Sequence, residues 1–170
     1  TGILTVPGKS AFNSGTNPIT LTSNNLFTGS ISCSNSGAHD ITIKNTLATV
    51  IGSVAAGRNV ALSSGGTISQ SEPIVATGGV LDLAVSSPNS SILLPESNDF
   101  GSFAPTFSGT TSFITNINLK NISAFAATPS FTGMTNLHYV ELTFPNQTVS
   151  LSNLDMHGTA VFYSNNVTGS

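Results

Sequence analysis

The sequence predicts an all-β protein: a β-sandwich of immunoglobulin-like or jelly-roll-like type with a second, smaller β-repeat region after it. Three observations carry that expectation. Short runs alternate apolar and polar residues with period 2, turn-forming residues separate the runs, and the composition supplies apolar residues for a core but little charge.

The runs come in order as Ile19-Thr20-Leu21, Ile41-Thr42-Ile43, Val60-Ala61-Leu62 and Leu81-Asp82-Leu83-Ala84-Val85. They continue as Ile117-Asn118-Leu119, Val140-Glu141-Leu142-Thr143-Phe144 and Val149-Ser150-Leu151. Each has the pattern of a half-buried strand, with Thr at many outward positions. Asn24-Asn25, Asn35-Ser36-Gly37, Ala56-Gly57-Arg58-Asn59, Gly65-Gly66 and Gly78-Gly79 punctuate them as turns. A strand about every ten residues with such punctuation points to a sandwich or barrel. A helical turn fits best between Ile122 and Ala127, ended by Pro129.

Composition bounds the function. The chain holds 26 Ser, 22 Thr, 17 Asn and 16 Gly, together 81 of 170 residues, against 11 charged side chains. With 38% hydrophobic residues it has enough apolar material to order the chain, which sets it apart from disordered segments. Lys9, Lys44, Arg58 and Lys120 are scattered singly, so no basic stripe is available and no nucleic acid partner is expected. So little charge suits a subunit whose surface is covered by neighbours better than a free monomer, and a homo-oligomer such as a trimer is expected. There is no apolar run long enough for a membrane span. Cys33 is the single cysteine and reads as a small buried hydrophobe in a strand. Both ends look like processing or fragment boundaries.

Composition shifts near residue 100. Eight of the ten Phe and both Tyr lie at or beyond Phe100, and Pro88, Pro95 and Pro105 bracket the polar stretch Glu96-Ser97-Asn98-Asp99. The expected division is a scaffold domain over 1–99 and an aromatic-richer repeat region over 100–170, continuing beyond the chain given. Within the second region Phe107-Ser108-Gly109-Thr110-Thr111-Ser112-Phe113 aligns with Phe131-Thr132-Gly133-Met134-Thr135-Asn136-Leu137 at an offset of 24, and Pro105 aligns with Pro129. A period in the twenties with one strand per repeat is a solenoid signature.

Phe131-Thr132-Gly133-Met134-Thr135-Asn136-Leu137, then Val140-Glu141-Leu142 and Ser152-Asn153-Leu154-Asp155-Met156, resembles BspA-type leucine-rich repeats of bacterial surface adhesins and some phage tail proteins. The stretch Ser34-Asn35-Ser36-Gly37, Ile41-Thr42-Ile43-Lys44-Asn45 and Ala55-Ala56-Gly57-Arg58-Asn59-Val60-Ala61-Leu62 is similar to β-sandwich modules of phage tail fibres and virion decoration proteins. Together the resemblances imply a virion or cell-surface attachment protein, with other virion or surface proteins as partners.

The sequence holds no recognisable catalytic set. His39-Asp40 and Asp155-Met156-His157 are the close acid–histidine pairs. Asp155 and His157 would share one face of a strand and begin a metal site, but without a third ligand they read as polar surface residues, and neither a metal nor any other cofactor is expected. A glycosidase would draw its two carboxylates from Asp82, Glu96, Asp99, Glu141 and Asp155, all of which read as solvated acids. The four N-x-S/T sequons, at Asn89, Asn121, Asn146 and Asn166, are no more than composition supplies. Glycan contact without catalysis needs flat amphipathic rings, and Tyr139 and Tyr163, beside His138 and Phe162, are the residues suited to receptor or glycan contact. The expected function is a non-enzymatic structural and attachment module of a virion or extracellular surface. The alternatives are a bacterial adhesin or filament subunit, and a polysaccharide-degrading tailspike fragment.

Overall fold

The computed structural model describes residues 2–152 and 154–169, leaving Thr1, Asn153 and Ser170 outside. Asn153, which forms part of the repeat-like stretch after Leu151, therefore falls outside the described residues. The strands are β1 (Thr5–Val6), β2 (Ser10–Asn13), β3 (Ile19–Phe27), β4 (Ile31–Ser34), β5 (Ile41–Asn45), β6 (Thr49–Ala55), β7 (Val60–Ser64) and β8 (Ile68–Gln70). They continue as β9 (Ile74–Val75), β10 (Leu81–Val85), β11 (Ser90–Asn98), β12 (Thr106–Gly109), β13 (Ile114–Asn121), β14 (Tyr139–Leu151) and β15 (Thr159–Gly169). Among the described residues a single 3-10 turn occupies Thr111–Phe113. Ile122 to Ala127 hold no helix, only a turn closed by Ala126 N–H on the Ser123 carbonyl.

The expected β-sandwich is not the fold. Every strand pair is parallel, and the chain winds as a β-solenoid of about 8 turns. One sheet runs β1-β3-β5-β7-β10-β12, and the other runs β15-β14-β13-β11-β8-β6-β4-β2 with β9 beside β6. Successive strands from β3 to β8 alternate between the sheets, so the partner of a strand lies one full coil away and not across a hairpin. Strand periodicity alone does not distinguish the two architectures, because both bury every second side chain. The larger sheet runs through residues 99–100, since β11 and β13 are adjacent in it.

The core is a set of vertical columns. Ile19, Ile41, Val60 and Leu81 stack in register on the smaller sheet, and Leu21, Ile43, Leu62, Leu83 and Phe107 form the next column. Facing them, Thr49, Ile68, Ile92, Ile117 and Val140 stack on the larger sheet. Burying each Ile or Leu contributes about 1.5–3 kcal/mol, so every added coil supplies its own share of stability. After β12 the smaller sheet ends, and an irregular segment takes its place with Phe131, Met134 and Leu137 buried. The Phe131 ring stacks on Phe107 at 6.4 Å between centroids, which carries the column onward. The 24-residue repeat is thus one coil laid on the next.

The corners are held by asparagines and glycines. Asn25 and Asn45 are register partners, as are Asn98 and Asn121. Buried Asn45 accepts from Phe27 N–H at 2.9 Å and donates to the Phe27 and Ala48 carbonyls, so its amide replaces the ladder bonds lost where the chain bends. At another corner a Cβ built on Gly57 would overlap the Gly37 carbonyl oxygen, and one on Gly78 would overlap the Gly57 carbonyl. Coils approach there at a distance that only glycine permits. Cys33 lies in β4 and is buried, as its strand position predicts.

Candidate functional site: the outer face of the last three coils

Period 2 fixes which side chains this face presents. On β14, Val140, Leu142 and Phe144 point into the core and are fully buried, so Tyr139, Glu141 and Thr143 point outward. Parallel pairing then aligns three rows across β13, β14 and β15: Asn116, Tyr139, Thr159; Asn118, Glu141, Val161; and Lys120, Thr143, Tyr163. The result is a polar, aromatic patch on a rigid sheet.

At its centre is a bonded group. The Tyr139 hydroxyl donates to Glu141 Oε2 at 2.5 Å, and Asn118 Nδ2 donates to the same oxygen at 3.2 Å. Both bonds fall on Oε2, and among the described residues Glu141 Oε1 takes none, so it is available to accept from a ligand hydroxyl. Tyr163 stands beside this group with 57% of its surface exposed. The bond to Glu141 raises the Tyr139 phenol above its ordinary value, and desolvation, the carboxylate's charge and Tyr163 add to the rise.

Of the four residues the sequence singles out for contact, the structure brings two together. Tyr139 and Tyr163 share the outer face. Phe162 pairs with Leu142 in register and packs against the core, so it completes the apolar column. His138 precedes β14 at a corner, exposed, and its ring lies beside that of His157. Asn118 was missed as a member of the group. Its signal is an offset of 23 residues from Glu141, one coil, which only the winding reveals.

The other acids do not gather. Asp82, on the smaller sheet, accepts from the Thr106 and Ser108 hydroxyls at 2.8 and 2.7 Å, away from the face that holds Glu141. Asp99 caps its own turn through Gly101 N–H, while Glu96 and Asp155 are exposed. Asp155 and His157 lie in the segment before β15 and not in a strand. Among the described residues no three His, Cys, Asp or Glu side chains converge as metal ligands. Asp40 forms a two-pronged ion pair with Arg58 at 2.7 and 2.8 Å, and that bond holds its carboxyl below the ordinary range. Of the sequon asparagines, Asn121 is fully buried, whereas Asn89, Asn146 and Asn166 are exposed. No helix among the described residues is long and apolar enough to cross a membrane.

Comparison with known families places this winding in context. The family model described as repeats of unknown function (DUF5649) matches residues 1–34 and 38–106, more than half of the chain. The chain belongs to this DUF5649 repeat family. The matched DUF5649 residues cover β1 to β11 and reach the start of β12, the portion built from two alternating strands per coil. The Tyr139–Glu141–Asn118 group lies beyond them. No curated protein and no solved structure matches the chain.

Proposed function

We propose that this chain is a non-enzymatic structural and attachment module of an exposed surface, that of a virion or a cell, and that it engages glycan through the outer face of β13–β15. The observation that carries this reading is the bonded group of Tyr139, Glu141 and Asn118 beside the exposed ring of Tyr163. A tyrosine ring offers an apolar face for the C–H side of a sugar and a polar tip for its hydroxyls. Glu141 and Asn118 add an acceptor and an amide at fixed positions, and a parallel sheet holds them with little freedom to lose on binding. Phe125, 74% exposed, and Phe103, 41% exposed, stand on the same half of the chain and favour assembly with further copies.

Glycan-array binding followed by titration of the best ligand tests the proposal. Binding that is weakened by Y163A and E141Q, with the glycan recovered uncut, supports it. Cleavage of the bound glycan, or binding indifferent to both substitutions, overturns it. Native mass spectrometry reports the assembly arm, where a monomer at micromolar concentration is the contrary result.

A further inference from the structure

Sequence alone leaves His157 with one acidic neighbour and no further ligand. Winding changes its surroundings, because the coil before it places His138 directly alongside. The two imidazole rings are 6.3 Å apart between centroids and tilted by 48°. Both residues are exposed, so nothing covers the pair.

The backbone beneath them is fixed on both flanks. His157 N–H donates to the Leu137 carbonyl at 2.9 Å, and Thr159 N–H donates to the His138 carbonyl at 2.9 Å. His138 N–H is itself bonded to the Thr115 carbonyl at 2.8 Å. Between the two anchoring bonds, Gly158 packs so close that a Cβ would overlap the His138 carbonyl oxygen. The side chains therefore rise from adjacent coils at the sheet spacing of about 4.8 Å, with only their own rotations to adjust.

We propose that His138 and His157 form a surface site for a divalent transition ion that favours imidazole, such as Cu2+, Ni2+ or Zn2+. One nitrogen from each ring would bind at about 2 Å, and a modest rotation of the two exposed rings closes the remaining gap. Water completes the coordination, because no third His, Cys, Asp or Glu joins the pair among the described residues. That ligand set disfavours Ca2+ and Mg2+, which require several oxygens. Among the imidazole-favouring ions Cu2+ binds most tightly. The site lies at the corner before β14 and does not depend on the glycan-binding reading.

The test is titration of the untagged chain with Cu2+ by calorimetry, together with electron paramagnetic resonance and retention on immobilised Ni2+. His39, the third histidine, serves as the internal control. The expected result is one ion with a two-nitrogen signal, an affinity lowered at least about tenfold by either H138A or H157A, and no change in H39A. Equal binding in H138A and H157A, loss on H39A, or a one-nitrogen signal overturns the proposal. Both substitutions are at exposed positions, and an unchanged far-ultraviolet dichroism spectrum confirms that each variant is folded.

Discussion

The Tyr139 hydroxyl and Glu141 Oε2 are joined by a 2.5 Å hydrogen bond on the outer face of one strand, two residues apart. The bond ties the phenol's proton to a carboxylate, so losing that proton would place two negative charges together. Tyr139 is therefore predicted to titrate above its ordinary value. Because the folded state holds this proton more tightly, the associated stability is complete below the unfolded value of about 10 and is lost as pH rises through the folded one. E141Q should lower the phenol's titration toward the ordinary value. The chain has two tyrosines, so tyrosinate absorbance in a Y163F background reads Tyr139 alone. An unchanged titration in E141Q would refute the assignment.

Gly57 sits under the Gly37 carbonyl, and Gly78 repeats the contact one coil later. Replacing Gly57 by Ala drives a methyl into the Gly37 carbonyl, and the backbone there has no flexible side chain to yield. The expected loss is about 1–3 kcal/mol or more, typical of an overpacked site. Gly66 provides the contrast, since a Cβ there meets Ala48 atoms at 3.5–3.7 Å in ordinary contact. Urea denaturation should show G57A clearly destabilised and G66A close to the parent. Equal midpoints would mean that the corner relaxes freely.

Asn98 is completely buried and joins four segments. Its Nδ2 shares two hydrogens among Gln70 Oε1 and the Leu94, Glu96 and Lys120 carbonyls, which lie at 3.0–3.1 Å, while its Oδ1 accepts from Ile74 N–H at 2.8 Å and from Gln70 Nε2 at 2.9 Å. N98L removes this partner from the buried Ile74 N–H and Leu94 carbonyl, at a cost of about 1–3 kcal/mol for each one left unsatisfied, while Gln70, Glu96 and Lys120 can turn to solvent. The predicted outcome is a large fall in the urea midpoint, together with faster hydrogen exchange at Ile74. Asn116, half-buried on the outer face and bonded to the Ser91 hydroxyl, should tolerate the same change with a much smaller fall. A mild N98L would show that water enters the corner and takes over the bonds.

The difference between these two asparagines shows what the sequence conveys. Ile41-Thr42-Ile43 and Val60-Ala61-Leu62 read as strands with one buried face, and both are so. Their pairing did not read, because alternation is equally compatible with a hairpin and with a coil. The column Ile19, Ile41, Val60, Leu81 is spaced 22, 19 and 21 residues apart, so no fixed offset aligns it. Phe107 and Phe131 were legible as a repeat because identical residues, with glycine two further on, recur at a constant 24. The corner roles of Asn25, Asn45, Asn98 and Asn121 were hidden among 17 asparagines that the composition makes ordinary. Of the site, Tyr139 and Tyr163 were visible as rare aromatics. The inward position of Phe162 follows from register with Leu142, which only the structure supplies.

Cys33 allows the core to be probed chemically. It is buried in β4 between Ser32 and Ser34, and burial pushes its thiol up to about 12. Only the thiolate reacts readily with disulfide reagents or haloacetamides, so the folded chain should be inert at neutral pH and label only on opening. The sign of the linkage follows from the raised value. The folded state keeps the proton that the unfolded thiol releases, so this contribution is complete below about 8.5 and is lost progressively as pH rises toward the folded value. C33A removes that alkaline dependence but leaves a small cavity, which lowers the stability by a pH-independent amount. The two effects separate in a comparison of urea midpoints at neutral and alkaline pH. Parent and C33A should differ most at neutral pH and converge as pH rises. Rapid labelling of Cys33 in the absence of denaturant would show that the coil around β4 opens far more often than its buried neighbours Ile31 and Val54 imply.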